Sequence, residues 1–189
     1  MKLTLPPPGV EAILLTLVLG AAVYDVRYRR IPNWLTVSGV LIGLALNAFL
    51  GRVDLSPGIP ALRFSLVGFA VAFGVYVLLY AIRAMGAGDV KLMAAIGTMV
   101  GWEDWFGIFL ITAIIGGAMA LILVVAKKRL QTTLFNVGVI INEAKSGRPA
   151  YLAKEELDVK SPKALGLPHG AVIAVGTLFF LAISAHFTK

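Results

Sequence analysis

The sequence predicts an all-α, polytopic integral-membrane bundle of about six transmembrane helices, and three observations lead to this fold class. Hydrophobic residues occupy 59% of the 189 positions and charged residues only 14%, whereas soluble domains are usually about 45–50% apolar. The mean hydropathy is +0.89. The apolar runs recur along the chain with short polar breaks, so we expect one membrane-embedded domain over residues 1–189 without a separate soluble unit.

Six apolar runs approach the roughly 17–25 residues that cross a bilayer as a helix. They lie at Val10–Tyr24, Trp34–Leu50, Leu62–Ile82, Val90–Gly101, Trp105–Ala126 and Gly170–Phe187. The first and fourth runs are short, so we expect them to extend into flanking polar residues or to be sheltered by neighbouring helices. The spacings Gly39-x3-Gly43 and Gly97-x3-Gly101 predict close helix packing.

Basic residues predict the orientation in the membrane. The segments 25–33, 83–89 with Lys91, and 127–169 share one side and contain 13 of the 17 lysines and arginines. Because basic loops stay in the cytoplasm, we expect these segments inside, the N-terminus outside, and the protein in the plasma (inner) membrane. The net charge of +7 then reflects topology and lipid headgroups, so we expect the bilayer and no nucleic acid as a partner. Apolar residues within 127–169 are compatible with an interfacial helix or with a plain loop.

Two aspartates at predicted membrane borders are the strongest candidates for chemistry. Asp25 closes the first run and Asp89 opens the fourth, so the topology places both at the cytoplasmic border. Acidic residues are costly there and often functional. Two carboxylates within about 3 Å of each other share one proton. The ionised carboxylate can then activate water while its protonated partner donates to a carbonyl oxygen, which is sufficient for amide hydrolysis.

Neighbouring residues allow a structural alternative, in which each aspartate is an ordinary interfacial charge paired with a nearby arginine or lysine. Gly86 and Gly88 favour the catalytic interpretation, because glycine permits irregular backbone and the close approach of an extended substrate. Pro32 and Asn33 indicate a turn in which Asn33 is a possible helix cap. Lys91 is a candidate to hold a substrate carbonyl or to tune the pKa values of the two aspartates. Alternatively, its side chain extends to the lipid surface.

Other catalytic chemistries lack the residues they need. The chain has no cysteine, which excludes thiolate metal sites and a cysteine nucleophile. Neither His169 nor His186 has a companion at metal-binding spacing, and Ser38, Ser65 and Ser184 are better explained as small polar residues that bond within their helices than as nucleophiles. We therefore expect no metal and no cofactor.

The stretch Asp-Val-Arg-Tyr-Arg-Arg-Ile-Pro-Asn-Trp-Leu-Thr from Asp25 resembles the first signature of the type IV prepilin peptidases, which are membrane aspartic peptidases. Gly86-Ala87-Gly88-Asp89-Val90-Lys91-Leu92 is similar to their second signature, Gly-x-Gly-Asp-x-Lys. The segment Leu167-Pro168-His169-Gly170 resembles the opening of their last span, with histidine where an aromatic residue is frequent. The resemblance implies that Asp25 and Asp89 are the catalytic pair.

The resemblance also implies a substrate, namely a prepilin whose short basic leader is cut from its hydrophobic helix on the cytoplasmic side. The compact sequence is similar to the peptidases of tight-adherence (Flp-type) pili, with archaeal preflagellin peptidases as a second subgroup. It lacks the four-cysteine domain and N-terminal region of bifunctional members, so we expect no N-methyltransferase activity. Two rival hypotheses are an ion- or proton-coupled transporter using the same carboxylates and a non-catalytic scaffold for pilus assembly.

Overall fold

The computed structural model describes residues 6–51, 57–154, 157 and 167–187. Within these ranges the chain is helical and contains no β-strand. The helices are α1 (Pro8–Tyr28), α2 (Asn33–Leu50), α3 (Ile59–Ala81), α4 (Ala87–Ala126), α5 (Leu130–Lys145) and α6 (His169–Phe187), with a short 3-10 turn at Ala150–Leu152. All except α5 are long and apolar enough to cross a membrane. The predicted all-α membrane bundle is therefore confirmed.

The long helix α4 is two arms joined at Gly101. This residue has φ 79° and ψ 176°, outside the helical region, and glycine adopts such a conformation without steric cost. The predicted fourth and fifth spans thus follow each other directly in α4, and the helix is sharply broken between them at Gly101. We call residues 87–100 the first arm and residues 102–126 the second arm.

Contacts with α3 show that the chain reverses direction at this break. Gly101 faces Phe64, near the beginning of α3. The glycine four positions earlier faces Ala72, further along α3. Four positions later, the ring of Trp105 packs edge-on against Tyr76 with centroids 6.2 Å apart. Both arms therefore run from the break toward the end of α3, and the bundle contains six apolar segments, as predicted.

The first arm of α4 forms the centre of the bundle. Every residue from Leu92 to Gly101 is buried. At about 1.5 Å per residue the arm is shorter than the roughly 30 Å hydrocarbon layer. Its neighbours shelter it on all sides, which confirms the expectation for the short fourth run. The short first run instead extends, because α1 continues to Tyr28.

Close packing and a polar cluster hold the first arm against α2 and α3. Gly39 and Gly43 of α2 both face this arm, as their spacing predicts. Near the break, the carbonyl of Thr98 accepts hydrogen bonds from Asn47 Nδ2 and Ser65 Oγ, each at 2.8 Å. These bonds join three helices at a depth where polar groups need protein partners.

Some sequence-based boundaries were wrong in ways that matter for the site. Asp25 lies in the last turn of α1, rather than in a loop covering 25–33, and Asp89 lies in the first turn of α4. The segment 127–169 contains the helix α5, so it is not a plain loop throughout. Several basic positions used for the orientation lie outside the described residues, namely Lys2, Arg52, Lys160, Lys163 and Lys189.

Candidate active site

A cavity of about 760 Å³ lies at the end of the bundle where α1 ends and where α2 and α4 begin. Its walls come from residues 24, 25, 28–33 and 86–89. Asp25 and Asp89 both line this cavity, although they belong to different helices. The other predicted site residues that line it are Pro32, Asn33, Gly86 and Gly88. The structure thus brings the two sequence motifs together around one space.

Asp25 is buried in the last turn of α1, with 8% of its surface exposed. Its backbone carbonyl accepts the N–H of Arg29 at 2.9 Å, and Arg29 ends the helix in a left-handed conformation with φ 53°. Its carboxylate Oδ2 accepts the backbone N–H of Gly170 at 2.7 Å. This distance is at the short end of the range for N–H···O hydrogen bonds. The first turn of α6 is therefore part of the site.

Asp89 is held by the beginning of its own helix. It is the third residue of α4, its Oδ2 accepts the N–H of Gly86 at 3.2 Å, and 9% of its surface is exposed. An acidic side chain at this position satisfies an amide that has no partner inside the helix and faces the positive end of the helix dipole. The local sequence Gly-Ala-Gly-Asp thus places a carboxylate in a defined orientation at the cavity wall.

The two glycines before Asp89 act differently from the expectation of irregular backbone. Gly86 has an ordinary extended conformation with φ −81° and ψ 154°, and Gly88 is helical. A Cβ atom at Gly88 would lie 3.1 Å from Cβ of Ile31, which is tighter than normal packing. Glycine at this position allows the loop after α1 to approach the first turn of α4.

The buried positions of both aspartates disfavour the alternative of ordinary interfacial charges, since such charges normally face water or headgroups. In addition, each carboxylate accepts a backbone amide at the beginning of a helix. Two buried carboxyl groups that line one cavity are the groups that activation of a water molecule by an acid–base pair requires.

Asn33 and Lys91 connect the two motifs directly. The prediction that Asn33 caps α2 was wrong. Pro32 occupies the cap position, and Asn33 is the first residue of the helix itself. Asn33 Oδ1 instead accepts a hydrogen bond from Lys91 Nζ at 2.8 Å. Lys91 therefore joins the beginning of α4 to the beginning of α2.

Sequence reasoning missed three contributions to the site. Gly170 binds Asp25, Ile31 packs beside both Gly88 and Gly170, and Tyr24 lines the cavity. The sequence signals for Gly170 were a proline two residues before it, which indicates the beginning of a helix, and the resemblance of residues 167–170 to the opening of the family's last span. His169 precedes it, and its Nε2 is buried and has no hydrogen-bond partner among the residues that the structure describes. No cluster of three metal-ligating side chains occurs in the part of the chain that the structure describes.

The fold and the site together define a class, namely a polytopic membrane protein in which two buried aspartates line one cavity at the end of a helix bundle. Residues 12–121 match the Type IV leader peptidase family, and this match covers both aspartates. The chain belongs to this family. The resemblance in the two motifs is thereby confirmed.

Curated relatives carry the name prepilin leader peptidase/N-methyltransferase. The chain is 30% identical to the protein of this name from Escherichia coli (strain K12) over 129 residues, which are 67% of this chain and 56% of the relative. It is 32% identical to that of Xanthomonas campestris pv. campestris over 131 residues, 66% of this chain and 44% of the relative. The chain thus spans about half the length of these relatives. No solved structure matches it significantly.

Proposed function

We propose that this protein is a membrane aspartic endopeptidase that removes the leader peptide of type IV pilin-like precursors, Flp-type prepilins included, at the cytoplasmic membrane face. The observation that carries the proposal is the convergence of Asp25 and Asp89 on one cavity in a member of the leader peptidase family. The relatives are named for prepilin processing, which supports the choice of substrate.

In the proposed mechanism, the scissile carbonyl enters the cavity between the aspartates. The ionised carboxylate removes a proton from water as the water oxygen bonds to the carbonyl carbon. The protonated carboxylate donates its proton to the carbonyl oxygen, which gives a neutral tetrahedral diol. Collapse of the diol breaks the C–N bond as the carboxylate takes a proton from one diol hydroxyl and the carboxyl group gives its proton to the leaving amine. One carboxyl and one carboxylate remain, so the pair is restored.

The location of the site suits a substrate that is itself anchored in the membrane. A precursor held by its apolar helix presents its polar leader at the bilayer border, and anchoring of both partners lowers the entropic cost of their encounter. Basic residues flank the site end of the bundle, including Arg27, Arg29, Arg30 and Arg83. Because basic flanks remain in the cytoplasm, this distribution supports a cytoplasmic site and an external N-terminus.

The remaining motif residues shape the cavity in this proposal. Gly86 and Gly88 shape the wall beside Asp89: Gly86 donates its amide N–H to the Asp89 carboxylate, and Gly88 lets Ile31 pack against the first turn of α4. Asn33 and Lys91 hold the beginnings of α2 and α4 together through their 2.8 Å hydrogen bond, and Pro32 begins α2 beside them.

The helix α5 lies along the cytoplasmic membrane surface in this proposal. Leu134, Val137 and Ile141 recur at helical spacing on one face and are exposed, and basic residues precede and follow the helix. Such a helix buries its apolar face among lipid headgroups. An environment-sensitive fluorophore on Ile141→Cys should shift to the blue in anionic nanodiscs, whereas one on Thr132→Cys, on the opposite face, should not. Equal emission from both positions would exclude this placement.

The decisive test of the activity is cleavage of a tagged Flp-type prepilin by the co-expressed protein. We expect the wild-type protein to convert the precursor to a shorter form on a gel, and the Asp89→Asn variant to leave it intact. Membrane insertion of both proteins is checked by protease protection of a terminal tag. If inserted wild-type protein processes none of several type IV and Flp-type prepilins, the proposal is wrong and proton or ion flux becomes the next measurement.

A further inference from the structure

The first turn of α6 reaches into the active site from the other end of the sequence. The amide of Gly170 and the carboxylate of Asp25 are 145 positions apart and are joined at 2.7 Å in a buried environment. The next two amides, of Ala171 and Val172, instead bond the carbonyl of Pro168 at 3.1 and 3.3 Å. The first amides of a helix have no partner inside it, and here one of them is directed at Asp25.

The side chain of Ile31 lies close to Gly88 on α4 and to Gly170 on α6. A Cβ atom at Gly88 would be 3.1 Å from Ile31 Cβ, and a Cβ atom at Gly170 would be 3.0 Å from Ile31 Cδ1. Gly88 directly precedes Asp89, and Gly170 holds Asp25. One isoleucine therefore contacts both backbone segments that orient the acids, and glycine on each side brings them close to it.

We propose that Ile31 and Gly170 are positioning residues of the aspartate pair. Ile31 acts as the spacer that sets the separation of Asp25 and Asp89, and the N–H of Gly170 fixes the orientation of the Asp25 carboxylate. This inference rests on the proposed peptidase function for its catalytic consequence, although the spacing itself is a property of the folded protein.

The physical basis is that a water molecule shared by two carboxylates tolerates little variation in their distance. A misplacement of about 1 Å can cost about 100-fold in rate. Without the Ile31 side chain, the first turns of α4 and α6 lose the contact that separates them, so they move to fill the space. Without the Gly170 amide, the Asp25 side chain loses the bond that selects its rotamer.

The spacing can be measured without catalysis, because the chain contains no cysteine. The Asp25→Cys, Asp89→Cys pair provides the only two thiols, and a series of bifunctional thiol reagents of graded length reports their separation. We expect Ile31→Ala to change which reagent length crosslinks best and Ile31→Val to preserve it. Ile111→Ala is the matched control, since Ile111 is also a partly buried isoleucine packed on the core and does not line the cavity. An identical length profile with and without Ile31→Ala would overturn the spacer role.

The catalytic consequence is measured on the protein with both aspartates intact. Ile31→Ala should lower kcat about 100-fold with KM unchanged, whereas Ile31→Val and Ile111→Ala should keep kcat within about threefold. Glycolic acid incorporated at position 170 by cell-free synthesis into nanodiscs replaces only the amide N–H by oxygen. At temperatures where the protein remains folded, it should lower kcat without changing KM. Full kcat in either altered protein would refute the corresponding role.

The two experiments separate this inference from the proposed activity. If wild-type protein cleaves no prepilin but the crosslinking profile responds to Ile31→Ala alone, the peptidase proposal is wrong and the spacer is correct. If wild-type protein cleaves prepilin and Asp89→Asn does not, while Ile31→Ala changes neither the crosslinking profile nor kcat, the spacer role is wrong and the peptidase proposal stands.

Discussion

Alanine at Gly68 should loosen the contact between α3 and the first arm of α4. A Cβ atom there would overlap the carbonyl oxygen of Gly97 and lie 2.8 Å from Cα of Gly101. These are backbone atoms of a buried helix, so no side chain can rotate away and the two helices must separate. Overpacking of this kind typically costs about 1–3 kcal/mol.

The matched control is Gly74→Ala on the same helix, because a Cβ atom at Gly74 would meet no heavy atom within 4 Å. Both substitutions gain up to about 1 kcal/mol of helix propensity, so their difference isolates the clash. Thermal unfolding in detergent, followed by circular dichroism, should show Gly68→Ala destabilised and Gly74→Ala unchanged or slightly stabilised.

The same displacement should reach the active site, since Asp89 is on the arm that must move. We expect prepilin cleavage by Gly68→Ala to fall by up to about 100-fold at temperatures where the protein remains folded. Equal melting temperatures and equal cleavage rates for the two alanine variants would refute the reasoning that the backbone contact at Gly68 holds the first arm of α4 in place.

Three further outcomes test the site and the bundle. Asp25→Asn should lower the cleavage rate about 10²–10⁴-fold without loss of folding, because the amide oxygen can still accept the Gly170 N–H. The control is Glu103→Gln at an exposed position, which should be fully active. Equal activity of the two variants would contradict a catalytic role for Asp25. Asn47→Ala should cost about 0.5–2 kcal/mol of stability in an unfolding titration, and an unchanged midpoint would show that its bond to the α4 backbone contributes nothing. Lys91→Met and Asn33→Ala should be non-additive in a double-mutant cycle of cleavage rates, whereas strictly additive effects would mean that their hydrogen bond does not matter for the reaction.

Much of the fold could be predicted from the sequence, because apolar run length and basic flanks report directly on membrane spans. The break at Gly101 was also visible, since two apolar runs met there with little polar sequence between them. The short length of the fourth run indicated that its neighbours shelter it, but hydropathy could not show which helices do so. Glycines such as Gly68 and Gly97 become informative only when their partners are known.

The catalytic candidates were predictable for a different reason. Carboxylates are rare at membrane borders, so Asp25 and Asp89 stood out before their neighbours were known. Their helical placement was not predicted, because the polar residues after Tyr24 masked the continuation of α1. The roles of Gly170 and Ile31 depend on contacts between segments distant in sequence. Neither residue type is unusual in an apolar chain, so no local pattern distinguishes them.

The bond between Asp25 and Gly170 also bears on how the protein is made. It joins α1 and α6, the first and last helices in the described part of the chain. A ribosome releases α1 early and α6 more than a hundred residues later, so a nascent chain carries Asp25 through most of translation before its amide partner exists. A chain that stops before α6 lacks this bond however well its earlier spans insert. In the proposed peptidase, the surroundings of Asp25 are therefore complete only after synthesis has passed residue 170.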